Sequence, residues 1–243
     1  MVPGYLAGQE KWAKDGQPGD NDDKEDEEEQ IDDHGVNSTK SIICHIAKKP
    51  AAMGMTVDTI IKDYSANDIV PHLNTFLAKI LPSLNTLVTP ATWFLVYKHL
   101  TLMLPAIPAV SLSPVVDVVH CTPSTRKQIT MQSIKDAVPG RFSTILVRVK
   151  EPEEGKGPMD GISVAQVHLI FHLLEQFGVH SSPLAYVHWF KPLRTPVDGL
   201  GMYKVSFLSH NHQQHASVIL ISDILHTCHL MPCFRNSNAF DLG

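Results

Sequence analysis

From Phe142 to Phe234 the chain is a succession of short runs: TILVRVK, GISVAQVHLIF, LAYVHWF, GMYKVSF, ASVILI and a closing HLMPCF. Several of them alternate apolar and polar residues. Period-two alternation bounded by turn residues is the mark of a strand with one face on a core. In TILVRVK, Ile145, Val147 and Val149 fall on one side, Arg148 and Lys150 on the other. In GISVAQVHLIF, Ala165, Val167, Leu169 and Phe171 oppose Val164, Gln166, His168 and Ile170. Pro196 and Asp198-Gly199 mark a turn, and HNHQQH reads as a polar hairpin tip. This pattern predicts an all-β small barrel over residues 142–234.

The region before it is mixed. SIICHIAKKPAAMGM predicts an extended lead-in segment, because a residue before proline is driven out of helix. Thr56 is placed to cap a helix carrying Val57, Ile60, Ile61 and Tyr64 on one face. Asn67 is placed to cap a second helix bearing Ile69, Val70, Leu73, Phe76, Leu77, Ile80 and Leu81 at helical spacing, with Pro71 in the first turn and Pro82 as its stop. The outer face of that helix offers only His72 and Lys79, too few cations to track a phosphate backbone. TWFLVYKHLTLMLP alternates as a strand whose pattern breaks at Lys98, and VVDVVHC reads as another. The expected fold class is therefore α+β. Its predicted regions are a disordered tail (1–40), a small α+β module (41–122), a linker (123–141), the β-barrel module (142–234) and a disordered tail (235–243).

Charge separates the first of these from the rest. Between Asp20 and Asp33 stand ten acids and one lysine, a local charge of −9. The chain's net charge is −5, so the remainder carries +4. Like-charge runs of this kind stay extended and solvated, and they also suit a basic partner. The hydrophobic share of 43% and charged share of 19% are those of an ordinary globular protein. The longest apolar region, LMLPAIPAVSLSPVVDVV, is interrupted by three prolines, so no membrane span is expected. MVPGYLAGQEKWAKDG has no apolar stretch of a secretion signal, and four cysteines at unpaired spacings suit reduced thiols. The expected setting is soluble and intracellular.

Chemistry-bearing motifs are sparse. GxSxG, a glycine-rich phosphate loop and HExxH are all missing from the sequence. Asp58, Asp63 and Asp68 lie near helix starts, where acids favour the helix dipole. Two clusters have zinc-type donors: His210, His212 and His215, and His226, Cys228, His229 and Cys233. Neither has the spacing of a paired CxxC site, so no metal and no cofactor is expected. The rings of Tyr186, Trp189, Phe190, Tyr203 and Phe207 can fill a core. Alternatively, Tyr186, Trp189, Tyr203 and Phe207 supply some of the walls of a ligand-binding aromatic cage. Trp189 falls on the opposite strand face from Tyr186 and Phe190, so only some of the set can share one pocket.

The ordered set HIAKKP, DIVPHLNTFLAKIL, VYKHLTLMLPAIP, ILVRV, GISVAQVHLIF, LAYVHWF, GMYKVSF and ASVILISDILHTCHLMPCF resembles the C-terminal region of Plavaka-type transposases of fungal DNA transposons. The resemblance spans about Ser41 to Phe234. YVHWF, MYKV and SVILISDILHTCHLMP also resemble, more loosely, bromo-adjacent-homology domains, which are chromatin modules. The transposase family's catalytic portion is an RNase H-like domain with acidic metal ligands upstream of this region, and no residue here matches it. The resemblance thus implies a transposon-derived, non-catalytic accessory region that contacts chromatin protein or DNA, with nuclear residence. An enzyme with an unrecognised site, or a transposase remnant without function, are the alternatives.

Overall fold

The computed structural model describes residues 42–82, 87–106, 112–125, 128–129, 134–135, 137–153, 155–174, 177, 182–197, 199–210 and 213–232. The tails expected at 1–40 and 235–243 lie outside these. The lead-in segment pairs as two short strands, β1 (Ile43–Ile46) and β2 (Ala52–Thr56). Helix α1 (Val57–Tyr64) follows, with Thr56 Oγ1 accepting from the Thr59 N–H at 3.5 Å and Ser65 closing it in the left-handed conformation. Helix α2 (Ile69–Ile80) begins after Asp68 rather than at Asn67, and no side chain caps it. Its buried face is Ile69, Leu73 and Leu77, each worth about 1.5–3 kcal/mol of burial. Past Pro82 the Asn74 amide holds the returning chain: it accepts from the Val88 N–H (2.8 Å) and donates to the Val88 carbonyl (3.1 Å).

The strand expected across residues 93–104 forms as two, β3 (Trp93–Tyr97) and β4 (His99–Leu104), broken at Lys98 where the alternation fails. β5 is Val115–Thr122. The expected linker is partly paired: β6 (Gln128–Ile129) and β7 (Ile134–Lys135) form a small hairpin, and β8 (Arg141–Phe142) joins β5. β9 (Thr144–Arg148), β10 (Ile162–His172) and β11 (Leu184–Trp189) are the core strands. β12 (Ser209–His210) and β13 (Gln213–Gln214) make the hairpin at HNHQQH. β14 (Ala216–Leu220), a 3-10 turn (Ile221–Asp223) and β15 (Ile224–Thr227) complete the set.

Two runs depart from expectation. GMYKVSF is no strand; Phe207 bridges back to Phe190, and the Ser206 and Met202 carbonyls accept from the Lys191 and Val197 N–H groups, without a ladder. Exposed and half-buried residues mix along it without a buried face, so burial does not hold the run in a ladder. The closing strand is Ile224–Thr227, and the run from His229 to Pro232 is unpaired.

One sheet runs β1-β4-β5-β8, and a second runs β14-β11-β10-β3-β2, with β9 on β10 and β15 on β9. β10 is the hub. Along one edge it pairs with β9 (Ile162↔Arg148 to Gln166↔Thr144) and then with β3 (Ile170↔Tyr97 to His172↔Leu95); along the other it pairs with β11. Strands from 41–122 therefore share a sheet with strands from 142–234. Lys40–Gly243 is one compact unit with one continuous set of buried residues, so the boundary expected at 123–141 separates no cores. The turn into β10 uses Gly161 at φ +73°, where a Cβ would collide with the Lys150 carbonyl.

The predicted barrel is corrected by the topology, because the sheets do not close. β9, β10, β11 and β14 pair in succession and β15 returns to β9, but β14 and β15 do not pair with each other. The 3-10 turn carries the chain from the ladder on β11 to the ladder on β9 without joining the two. A seam is left between β14 and the end of β9, and α2 packs against β14 beside it.

Candidate functional site

The seam holds a groove of about 430 Å³. α2 contributes His72, Phe76 and Lys79; β9 and its continuation contribute Val147, Arg148 and Val149; β14 contributes Ser217 to Leu220; Trp189 and Asp223 complete it. Helical spacing explains the first group, since residues seven apart lie on one stripe of a helix. Trp189 is half-buried, and its indole N–H donates to Ser217 Oγ at 2.8 Å. Burial pushes the Asp223 carboxyl up, opposed by a backbone hydrogen bond from Leu220. Burial pushes the His72 imidazole down. The fixed positive charges of the groove are thus Lys79, exposed, and Arg148. Glu151 stands 3.9 Å from Arg148 in a solvent-exposed pair of little strength.

The four rings proposed as a cage do not meet. Tyr186 is 1% exposed and belongs to the core. Trp189 lines the seam groove, and Tyr203 lines a different depression beside Arg194 and Gly161. Phe207 stacks on Phe190, with centroids 4.4 Å apart. Of the four, Trp189 alone lies in the groove.

On the opposite face of β11 from Trp189 lies a buried row that sequence reasoning did not single out. His168 and His188 stack with centroids 3.9 Å apart, and Phe142 stacks on His168 at 4.8 Å. Tyr186 packs edge-on against His188 at 5.5 Å. The β10–β11 register shifts between Val167 and Leu169, so His168 is the extra residue of a bulge. Its Nδ1–H donates to the Tyr64 carbonyl (3.0 Å) at the end of α1, and its Nε2 meets the Gln166 side-chain amide at 3.1 Å. His188 Nδ1 is buried with no hydrogen-bond partner among the described residues. Burial first, then the neighbouring His168, hold His188 down to about 4, with a Gln214 side-chain bond opposing. The hint in the sequence was two histidines at interior positions of adjacent apolar strands.

The cysteine–histidine cluster is split. His226 and His229 are exposed, and the His226 Nδ1–H donates to the Thr227 carbonyl at 2.6 Å. Cys228 is half-buried, and burial pushes its thiol up. Cys233, His212 and the side chain of His210 lie outside the described residues. Among the described residues no three His, Cys, Asp or Glu side chains converge on a metal position. Asp117 on β5 lies near this end, with both oxygens engaged: Thr227 donates from its N–H (2.6 Å) and its Oγ1 (2.8 Å). Among the described residues no helix is long and apolar enough to cross a membrane. No family model, no curated protein and no solved structure matches the chain.

Proposed function

We propose that this chain is a non-catalytic, transposon-derived binding module that holds a segment of a chromatin protein in the seam groove. The observation that carries the reading is the groove itself: an unclosed sheet edge with Trp189 as a wall, Phe76 and Ile219 as apolar lining, and Lys79 and Arg148 as cations. Binding sites are concave and mostly apolar with a few placed polar groups, and tryptophan is a common anchor in them. A nucleus is the setting that such a partner requires.

Protein is favoured over DNA as the partner. Residues 142–234 carry six lysines and arginines against seven acids. Lys150 is engaged by Glu153 at 2.9 Å and Asp160 at 3.5 Å, and Lys156 pairs with Glu153. Duplex binding needs many cations free to displace counterions.

The test is titration of the full chain with fluorescent peptides tiled across the acidic segments of chromatin proteins, and with labelled duplex DNA at physiological salt. Peptide binding that weakens at least tenfold in Trp189→Ala, with the melting curve of that variant still cooperative, is the expected result. Steeply salt-dependent DNA binding without peptide binding, or nuclease or strand-transfer activity of the full chain, would overturn it.

A further inference from the structure

We infer that the groove receives its occupant as an added β-strand: an extended acidic segment of a partner protein pairs with the free edge of β14. This rests on the groove being a protein-binding site and specifies how it binds.

The ladder geometry shows which backbone groups are free. The Trp189 N–H donates to the His215 carbonyl, and the Ile221 N–H to the Pro183 carbonyl. Given the register of the two strands, the pairs bonded between β11 and β14 are then Val187↔Ser217 and Ala185↔Ile219. In an antiparallel ladder the alternate residues turn their N–H and C=O the other way. Here those are Ala216, Val218 and Leu220. Asp223 takes a backbone bond from Leu220, which leaves Ala216 and, at the middle of the strand, Val218. β14 is the terminal strand of its sheet, and among the described residues no strand pairs with its outer edge.

Across the seam, β9 carries Arg148 past the last β15 pair, Ile224↔Val147. Val218, with its outward backbone groups, and Arg148 line one groove. An extended segment laid along β14 would satisfy Val218 and present alternate side chains to opposite sides. One set meets Trp189 and Ile219; the other meets Lys79 and Arg148. Lys79 has no ion pair among the described residues, and the one acid of the groove, Asp223, is already engaged by Leu220. Charge complementarity therefore selects an acidic segment. Strand addition draws affinity from main-chain bonds and specificity from alternate side chains.

The experiment uses the full chain against a random peptide library displayed on phage, followed by resynthesis of the enriched peptides. Expected are peptides with an acidic residue next to an apolar one. N-methylating their amides one at a time should weaken binding tenfold or more at alternate positions and little between them. Lys79→Glu, on an exposed helix position, should weaken them at least fivefold. Enriched peptides that need Trp189 but show no alternation under N-methylation would overturn strand addition while leaving the groove as a protein site. Peptides indifferent to Lys79→Glu would overturn the acidic preference. If no peptide is enriched, both the binding function and this inference fail.

Discussion

β10 and β14 belong to one sheet but live under different conditions. β10 is bonded along both edges, to β11 on one side and to β9 then β3 on the other, and most of its side chains are buried. Among the described residues β14 is paired with a strand along one edge only. A residue in β10 is fixed by neighbours on every side, so changing it disturbs the whole core. A residue in β14 is fixed by half as many, and its free side can exchange partners. Stability is concentrated in the first strand, and the free hydrogen-bonding edge lies with the second.

The hardest blow to this contrast is Phe171→Ala. Phe171 is fully buried and packs edge-on against Phe94, with centroids 5.4 Å apart. Its loss should lower unfolding free energy by about 3–5 kcal/mol, read by urea titration. A loss under about 1 kcal/mol would mean that β10 is not the hub.

Next comes acid. His188 is held down to about 4 in the folded chain, below its ordinary value near 6.5. The unfolded chain therefore takes up the proton first as pH falls. Stability from this group is complete above pH 6.5 and is lost between 6.5 and 4, by roughly 2–3 kcal/mol. His188→Phe keeps a ring on His168 and removes the unpartnered nitrogen, so the slope of stability between pH 6.5 and 4 should flatten. An unchanged slope would place the titration elsewhere.

Smaller still is Asp117→Asn, which weakens the two hydrogen bonds from Thr227 and should cost about 1–2 kcal/mol by thermal melting. Smallest is Ser217→Ala, on β14, which removes the acceptor for the Trp189 indole. It should cost under about 1 kcal/mol in stability and show as a shift in tryptophan emission on binding. If Ser217→Ala destabilised as much as Phe171→Ala, edge and centre would not differ.

Much of the fold was legible where local pattern and tertiary burial agree. The break at Lys98, the cap at Thr56 and the helix face of Ile69, Leu73 and Leu77 could all be read directly. GMYKVSF misled because alternation counts only when one face meets a core, and none covers these residues. The unclosed seam was illegible because it depends on where a three-residue turn directs the chain after Leu220. Trp189 could be named from the sequence as a candidate ring, and the fold places it in the groove. Its companions Lys79 and Arg148 were seen separately, but only the fold brings positions 69 residues apart in sequence to one groove. The histidine stack needed the bulge at His168, which shifts the side-chain alternation of β10 and which no local pattern announces.

β3 comes from before residue 100, yet it completes the later half of β10. A fragment begun at Phe142 would look like a tidy excision by sequence. It would nonetheless leave Ile170 to His172 with a bare, greasy flank that a second copy could claim. Anyone cloning this protein should begin no later than the lead-in strands, or expect copies to associate through that flank.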